Sequence, residues 1–167
     1  MVKIISDSTC DLSEELLKKY DISILPLHIL LGERECEDGY DITPDEIYRW
    51  SDENKTTPKT SAPSLDKAID LFRPYVETGQ EIVCFSISEE MSTSGNVMRL
   101  ASEELGAGDM VHVIDSANLS TGIGLLVIEA AIMAKEGKNA QEIVIKINDL
   151  KPLVRASFVV DTLTYLY

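Results

Sequence analysis

Ile82-Val83-Cys84-Phe85-Ser86-Ile87-Ser88-Glu89-Glu90-Met91-Ser92-Thr93-Ser94-Gly95-Asn96 is the stretch that decides how the chain is read. Its first four residues are apolar and β-rich, the pattern of a buried strand. Beyond it, Val97, Leu100, Ala101 and Leu105 recur at helical spacing, so the hydroxyl-rich centre is a strand-to-helix turn. Such turns, at the carboxyl ends of strands in an open α/β sheet, are where these folds bind ligands. Ser92, Thr93 and Ser94 then fall near the N-terminus of the new helix, where unpaired N–H groups and the helix dipole favour an anion. No Lys, Arg or His lies between Ser86 and Asn96, so the anion expected is a carboxylate rather than a triphosphate. The same residues suit a plain Ser/Thr helix cap, and on this segment alone the cap is the better reading.

Working outward, the first residues form a short apolar strand that ends in Ser6-Asp7-Ser8-Thr9-Cys10-Asp11-Leu12. Asp11 or Ser13 can cap a helix over 14–20, with acids early and lysines late as the helix dipole prefers. Residues 22–31 read as the next strand, with Pro26 making it an edge strand or a bulge, and 32–40 as an acidic turn. Thr43-Pro44-Asp45-Glu46 combines a Thr cap, Pro in the first turn and a Glu that closes a capping box. A polar loop then delivers a second hydroxyl cluster, Thr60-Ser61-Ala62-Pro63-Ser64. Pro63 disfavours helix at Ala62, so Thr60 and Ser61 are expected to be extended, ahead of a helix capped by Ser64 and ended by Gly79.

After the central turn, a helix is expected to about residue 105, followed by a strand over 111–114 that ends in Asp115-Ser116-Ala117-Asn118. Residues 119–135 form the most apolar helix of the chain, apolar nearly all round and so buried on more than one side. Gly122 and Gly124 lower its helix propensity and mark close approach of a backbone or ligand. Asn139 with Glu142 caps a further helix to about residue 150, and 158–163 read as a strand. Asp7 and Asp115, at strand ends, are expected to accept backbone N–H bonds as turn residues rather than to catalyse. The alternation of strands and helices predicts an α/β fold: a three-layer domain with a mainly parallel sheet and helices on both faces. The hydroxyl-rich strand ends then share one edge of the sheet, and that edge is the expected site.

A chain of 167 residues with 44% apolar and 26% charged residues is that of one ordinary globular domain. Its net charge of −14 repels nucleic acid and anionic membranes. No stretch is long and apolar enough for membrane insertion, and the start lacks a signal-peptide pattern. Cys10, Cys36 and Cys84 are scattered, with no zinc spacing, which reads as free thiols in a reducing cytoplasm. His28 and His112 lack neighbouring ligands, so no metal is expected. There is no G-x-S-x-G, P-loop or G-x-G-x-x-G motif.

Six segments, taken in order, resemble the DegV family of fatty-acid-binding proteins. They are Ser6 to Leu12, Asp38-Gly39-Tyr40-Asp41-Ile42-Thr43, Thr60-Ser61-Ala62-Pro63-Ser64, Ile87-Ser88-Glu89-Glu90-Met91-Ser92, Val113-Ile114-Asp115-Ser116 with Ser120-Thr121-Gly122-Ile123-Gly124, and Val160-Asp161-Thr162-Leu163. The resemblance implies a bound long-chain fatty acid and no other cofactor, with the protein acting as a non-catalytic acyl carrier that presents the acyl group to the catalytic subunit of a fatty acid kinase. It puts the carboxylate on Thr60 and Ser92, with Ser61 and the backbone N–H of Thr93 as second choices, and the tail beside Thr121, Gly122 and Ile123. It also divides the chain into an N-terminal α/β domain over 1–155 and the start of a second domain over 156–167, so that exposed apolar surface and a homo-oligomer are expected. In two places the chain departs from the family pattern: Thr93 stands where Gly is usual, and Gly95 stands where an aromatic is common, which is expected to open space beside the carboxylate. A buried tail of about fourteen methylenes gains on the order of 10 kcal/mol at roughly 0.8 per CH₂, so the tail supplies affinity and the hydroxyls position the head. Two rival readings stand beside this one: a hydrolase-type enzyme using Ser92, and a protein-interaction module working through its acidic face.

Overall fold

The computed structural model describes residues 1–160. Four strands, β1 (Lys3–Asp7), β2 (Ile22–Leu25), β6 (Ile82–Ser86) and β7 (Val111–Asp115), form a parallel sheet in the order β2-β1-β6-β7. Strict alternation along the strands sends neighbouring residues to opposite faces. Ile4, Val83, Phe85 and Ile114 pack on one face against α5 (Thr121–Lys135) and α6 (Ala140–Leu150), joined by Leu17 of α1 (Glu14–Tyr20). Ile5, Leu25, Ile82 and Cys84 pack on the other against α3 (Leu65–Glu77) and α4 (Ser94–Glu104). The three-layer α/β architecture expected from the sequence is the one observed.

Local chemistry fixes most helix ends. Ser13 accepts from the Leu16 N–H at the start of α1. Thr43 with Glu46, and Asn139 with Glu142, form complete capping boxes at α2 (Pro44–Asn54) and α6. In each box the hydrogen bonds to the glutamate pull its carboxyl below the ordinary range.

Two expectations are corrected. Residues 22–31 are not one strand: the chain leaves the parallel sheet at Pro26, and β3 (His28–Leu31) belongs to a second sheet of order β4-β3-β5. Pro26 has no N–H to continue a ladder, and the chain uses that break to change sheets. The acidic segment after Gly32 is not only a turn, because Arg34–Glu37 is strand β4, antiparallel to β3. The small sheet is completed by β5 (Lys59–Ser61) and packs Ile29, Leu31 and Cys36 against Ile47 and Trp50 of α2. Phe158, Val159 and Val160 are not in a strand, and the rest of the strand expected over 158–163 lies outside the described residues.

Candidate functional site

The chain runs from β1 through α1 to β2 on one side, and from β6 through α4 to β7 on the other. The order therefore reverses between β1 and β6, and the crevice outside their carboxyl ends is where open α/β sheets bind ligands. The loop over 87–93 lies in this position and is tied down from both sides. The Asp7 carboxylate, at the end of β1, accepts from the Ile87 N–H at 2.8 Å, from the Thr9 N–H at 3.3 Å and from the Thr9 hydroxyl at 2.6 Å. On the other side, Asp115 Oδ1 accepts from the Glu89 N–H at 3.1 Å and from the Ala117 N–H at 2.9 Å. The Ser88 N–H adds a bond to the Asn118 carbonyl at 3.0 Å. Both aspartates thus perform the turn role expected of them. Asp7 is fully buried, and burial pushes its carboxyl above the ordinary range, while the bonds from Thr9 and Ile87 work against that rise.

Ser92 closes the loop onto α4. Its hydroxyl lies 2.9 Å from that of Ser94 and accepts from the Ser94 N–H at 3.2 Å, while exposed Thr93 makes no side-chain cap. Ser86 ends β6 directly beneath. Its hydroxyl is fully buried and has no hydrogen-bond partner. A Cβ placed on Gly95 would lie 3.0 Å from that hydroxyl, 3.0 Å from Glu89 Oε1 and 3.6 Å from Arg99 Nη1. The space that Gly95 was expected to open is therefore covered by the ion-paired side chains of Glu89 and Arg99. Ser86 and this pair were missed in the sequence. The available signal was that Ser86 is the first polar residue after a wholly apolar strand; Arg99 lies beyond the loop and reaches back to it.

Thr60 and Ser61 are exposed on β5, in register with Ile29 and His28. The next residue back from His28, Leu27, donates its N–H to Ser8 Oγ at 3.1 Å, which ties the small sheet to the carboxyl edge of the large one. No hydrogen bond joins Thr60 or Ser61 to Ser92 or Thr93 among the described residues. Of the three residues expected along the tail, Thr121 is exposed, Gly122 is buried and Ile123 is fully buried in the core. The glycines leave no empty room: a Cβ on Gly122 would lie 2.4 Å from Asn118 Oδ1, and one on Gly124 would lie 2.8 Å from the Cys10 carbonyl oxygen. Of the two expected reasons for close approach, a backbone or a ligand, Gly124 shows the first.

A cleft of about 570 Å³ opens beside this edge, lined among others by Ser8, Leu12, Leu17, Ile24 and Tyr40, and by none of the expected hydroxyls. Among the described residues no hydrogen bond joins Ser92 to either histidine. His112 pairs with Val83 near the amino end of β6, with Nε2 3.6 Å from Glu81, roughly 10 Å along the strand from Ser86 at 3.3 Å per residue. His28 lies in the small sheet. Among the described residues no cluster of His, Cys, Asp and Glu is arranged to hold a metal, and no helix is long and apolar enough to cross a membrane.

A doubly wound α/β domain with a hydroxyl-rich loop at its switch point is a ligand-binding fold. The family model described as "Uncharacterised protein, DegV family" matches residues 1–167, and the chain belongs to the DegV family. A DegV domain-containing protein of Clostridium perfringens is 33% identical over 165 residues, which are 99% of this chain and 59% of that protein. The chain thus spans well under two thirds of that curated relative. A fatty acid (stearic acid)-binding protein from Eubacterium ventriosum is 37% identical at a TM-score of 0.81, covering 89% of this chain and 52% of the other. A fatty-acid-binding DegV family protein from Thermus thermophilus is 26% identical at a TM-score of 0.82, covering 90% and 53%.

Proposed function

We propose that this chain binds a long-chain fatty acid, with its carboxylate at the α4 end of the switch-point crevice. The observation that carries the reading is the buried, unpartnered Ser86 hydroxyl beneath the first turn of an eleven-residue helix. A hydroxyl in that position calls for a partner, and an anion suits the helix terminus. Ser92 and the Thr93 N–H contact the head group from the loop just ahead of α4, and Thr60 and Ser61 from β5. The tail runs over the outer face of the first turns of α5, where exposed Thr121 and Leu125 stand one turn apart, with Gly122 and Ile123 beneath them. The protein is a carrier rather than an enzyme, and the family resemblance supplies the recipient, the catalytic subunit of a fatty acid kinase. Against a hydrolase, the Ser92 hydroxyl pairs with Ser94 and not with a base.

Lipid extraction from the purified chain followed by mass spectrometry is expected to return a long-chain acid. The Thr60→Ala, Ser92→Ala double variant is expected to bind palmitate at least tenfold more weakly, with thermal unfolding nearly unchanged. Unchanged affinity would remove both hydroxyls from the site.

A further inference from the structure

The protein already places a carboxylate at the first turn of α4. Glu89 follows the strand end by three residues, and its Oε1 lies 3.0 Å from where a Cβ on Gly95 would stand, the same distance as the unpartnered Ser86 hydroxyl. Glycine permits this approach, since any side chain at position 95 would displace the oxygen or be displaced by it. Arg99, one turn further along α4, holds the arrangement. Its Nη2 donates to Glu89 Oε1 and its Nη1 to Asn96 Oδ1 at 2.9 Å. The side chains of Glu89 and Arg99 are about 40% exposed, at 39% and 41%, so the pair reaches the surface while the Ser86 hydroxyl behind it is fully buried.

We propose that Glu89 and Arg99 act as an electrostatic gate on the carboxylate site, with Glu89 the internal competitor and Arg99 the cation that exchanges from it to the ligand. This rests on the carboxylate reading above and adds its specificity device. An incoming carboxylate meets the Glu89 charge at the site's own mouth, and two carboxylates side by side disfavour each other. Arg99 offsets that repulsion. Its planar guanidinium presents several donors, so it can turn from Glu89 toward a ligand oxygen while Nη1 stays on Asn96. A side chain at position 95 would crowd this pair, so Gly95 is what lets Glu89 and Arg99 close over the first turn of α4.

The test uses the lipid-stripped chain with palmitate and with hexadecanol, which shares the tail but carries no charge. One charge removed about 6 Å from another, in surroundings between water and protein, changes affinity by roughly three- to tenfold. Glu89→Gln is expected to tighten palmitate by that factor and Arg99→Gln to weaken it similarly. The variant carrying both returns close to the unsubstituted protein, and hexadecanol binding stays constant throughout. Raising the salt concentration is expected to shrink each palmitate effect. If the unsubstituted chain binds palmitate but the single variants leave it unchanged, or shift acid and alcohol alike, the gate is wrong and the site reading stands. If the unsubstituted chain binds neither acid nor alcohol, the site reading fails and the gate with it.

Discussion

Asp7→Asn tests whether the switch-point loop is held by a buried charge. The carboxylate takes Ile87 N–H on one oxygen and the Thr9 N–H and hydroxyl on the other. An asparagine keeps one acceptor oxygen. If that oxygen stays on Ile87, the amide NH₂ faces Thr9, whose hydroxyl can turn round but whose N–H cannot. One buried N–H left without an acceptor costs about 1–3 kcal/mol, and relief from burying a charge returns part of that. A net loss of about 1–2 kcal/mol at pH 7 follows, or roughly 2–8 °C in Tm for a chain of this size.

The pH dependence has a definite sign. Burial raises the folded-state pKa of Asp7 above its ordinary value of 3.8, so in the window between the two the folded protein binds more protons than the unfolded one. Stability from this group therefore increases as pH falls through the raised pKa, and is lowest where Asp7 is ionised. Asparagine does not titrate. The stability gap between the two proteins, measured by urea unfolding at several pH values, is expected to widen on acidification from pH 7. Glu14, Glu46 and Glu142, whose carboxyls are held below the ordinary range by their hydrogen bonds, act in the opposite sense but are common to both proteins and cancel. A gap that narrows on acidification would falsify the reasoning, because it would mean that the hydrogen bonds outweigh the desolvation.

Two further substitutions follow from the packing. Gly124→Ala drives a Cβ to 2.8 Å from the Cys10 carbonyl, and a backbone atom cannot swing aside, so urea unfolding should show a loss of about 1–3 kcal/mol despite the better helix propensity of alanine. Gly122→Ala meets the Asn118 side chain, Oδ1 at 2.4 Å, Cγ at 3.0 Å and Cβ at 3.3 Å; the amide can rotate but Cβ must give by a few tenths of an ångström, so the same measurement should show a smaller loss than Gly124→Ala, about 1 kcal/mol or less. Asn139→Ala removes the acceptor for the Glu142 N–H at 2.9 Å and should cost about 1 kcal/mol, seen as a Tm drop of roughly 2–4 °C.

The readable parts of the sequence were those set by neighbours within a turn or two. The Thr43 and Asn139 capping boxes give their helix starts from four residues each, and Ile82 to Phe85 announces a central strand because both faces of a parallel sheet are covered. Strand β4 was not legible, because Arg34-Glu35-Cys36-Glu37 has one buried apolar residue and little intrinsic strand preference. It is a strand because His28–Leu31 pairs with it, and pairing overrides propensity. Around the switch point, the hydroxyls from Ser88 to Ser94 were visible as composition and their place beyond the carboxyl end of β6 followed from the strand pattern, whereas the position of Thr60 and Ser61 on the second sheet did not. The Glu89–Arg99 pair was not visible, since it spans ten residues and depends on where the first turn of α4 begins.

Helix α5 shows how an apolar sequence can be explained without an outside ligand, and what remains when it is. Its residues are apolar all round, so one sheet face cannot cover it. The fold covers it from several directions: β1 and β6 lie beneath, α1 and α6 flank it, and the 3₁₀ turn Ser8–Cys10 presses its carbonyl against Gly124. Ile123, Leu126 and Val127 are essentially fully buried by these neighbours. Leu125 is the exception at 63% exposed, and it shares its face with Thr121 at the end of the helix nearest the switch-point loops. A single exposed leucine needs no explanation. Leu125 matters because Asn118, which packs against Gly122, also accepts from the Ser88 N–H through its carbonyl, linking this helix start to the loop that carries Ser92. The loop that carries Ser92 and the start of α5 are thus joined through Asn118, with exposed Thr121 and Leu125 beside that junction, and on the fatty-acid binding proposed above this is the face along which the tail is expected to run.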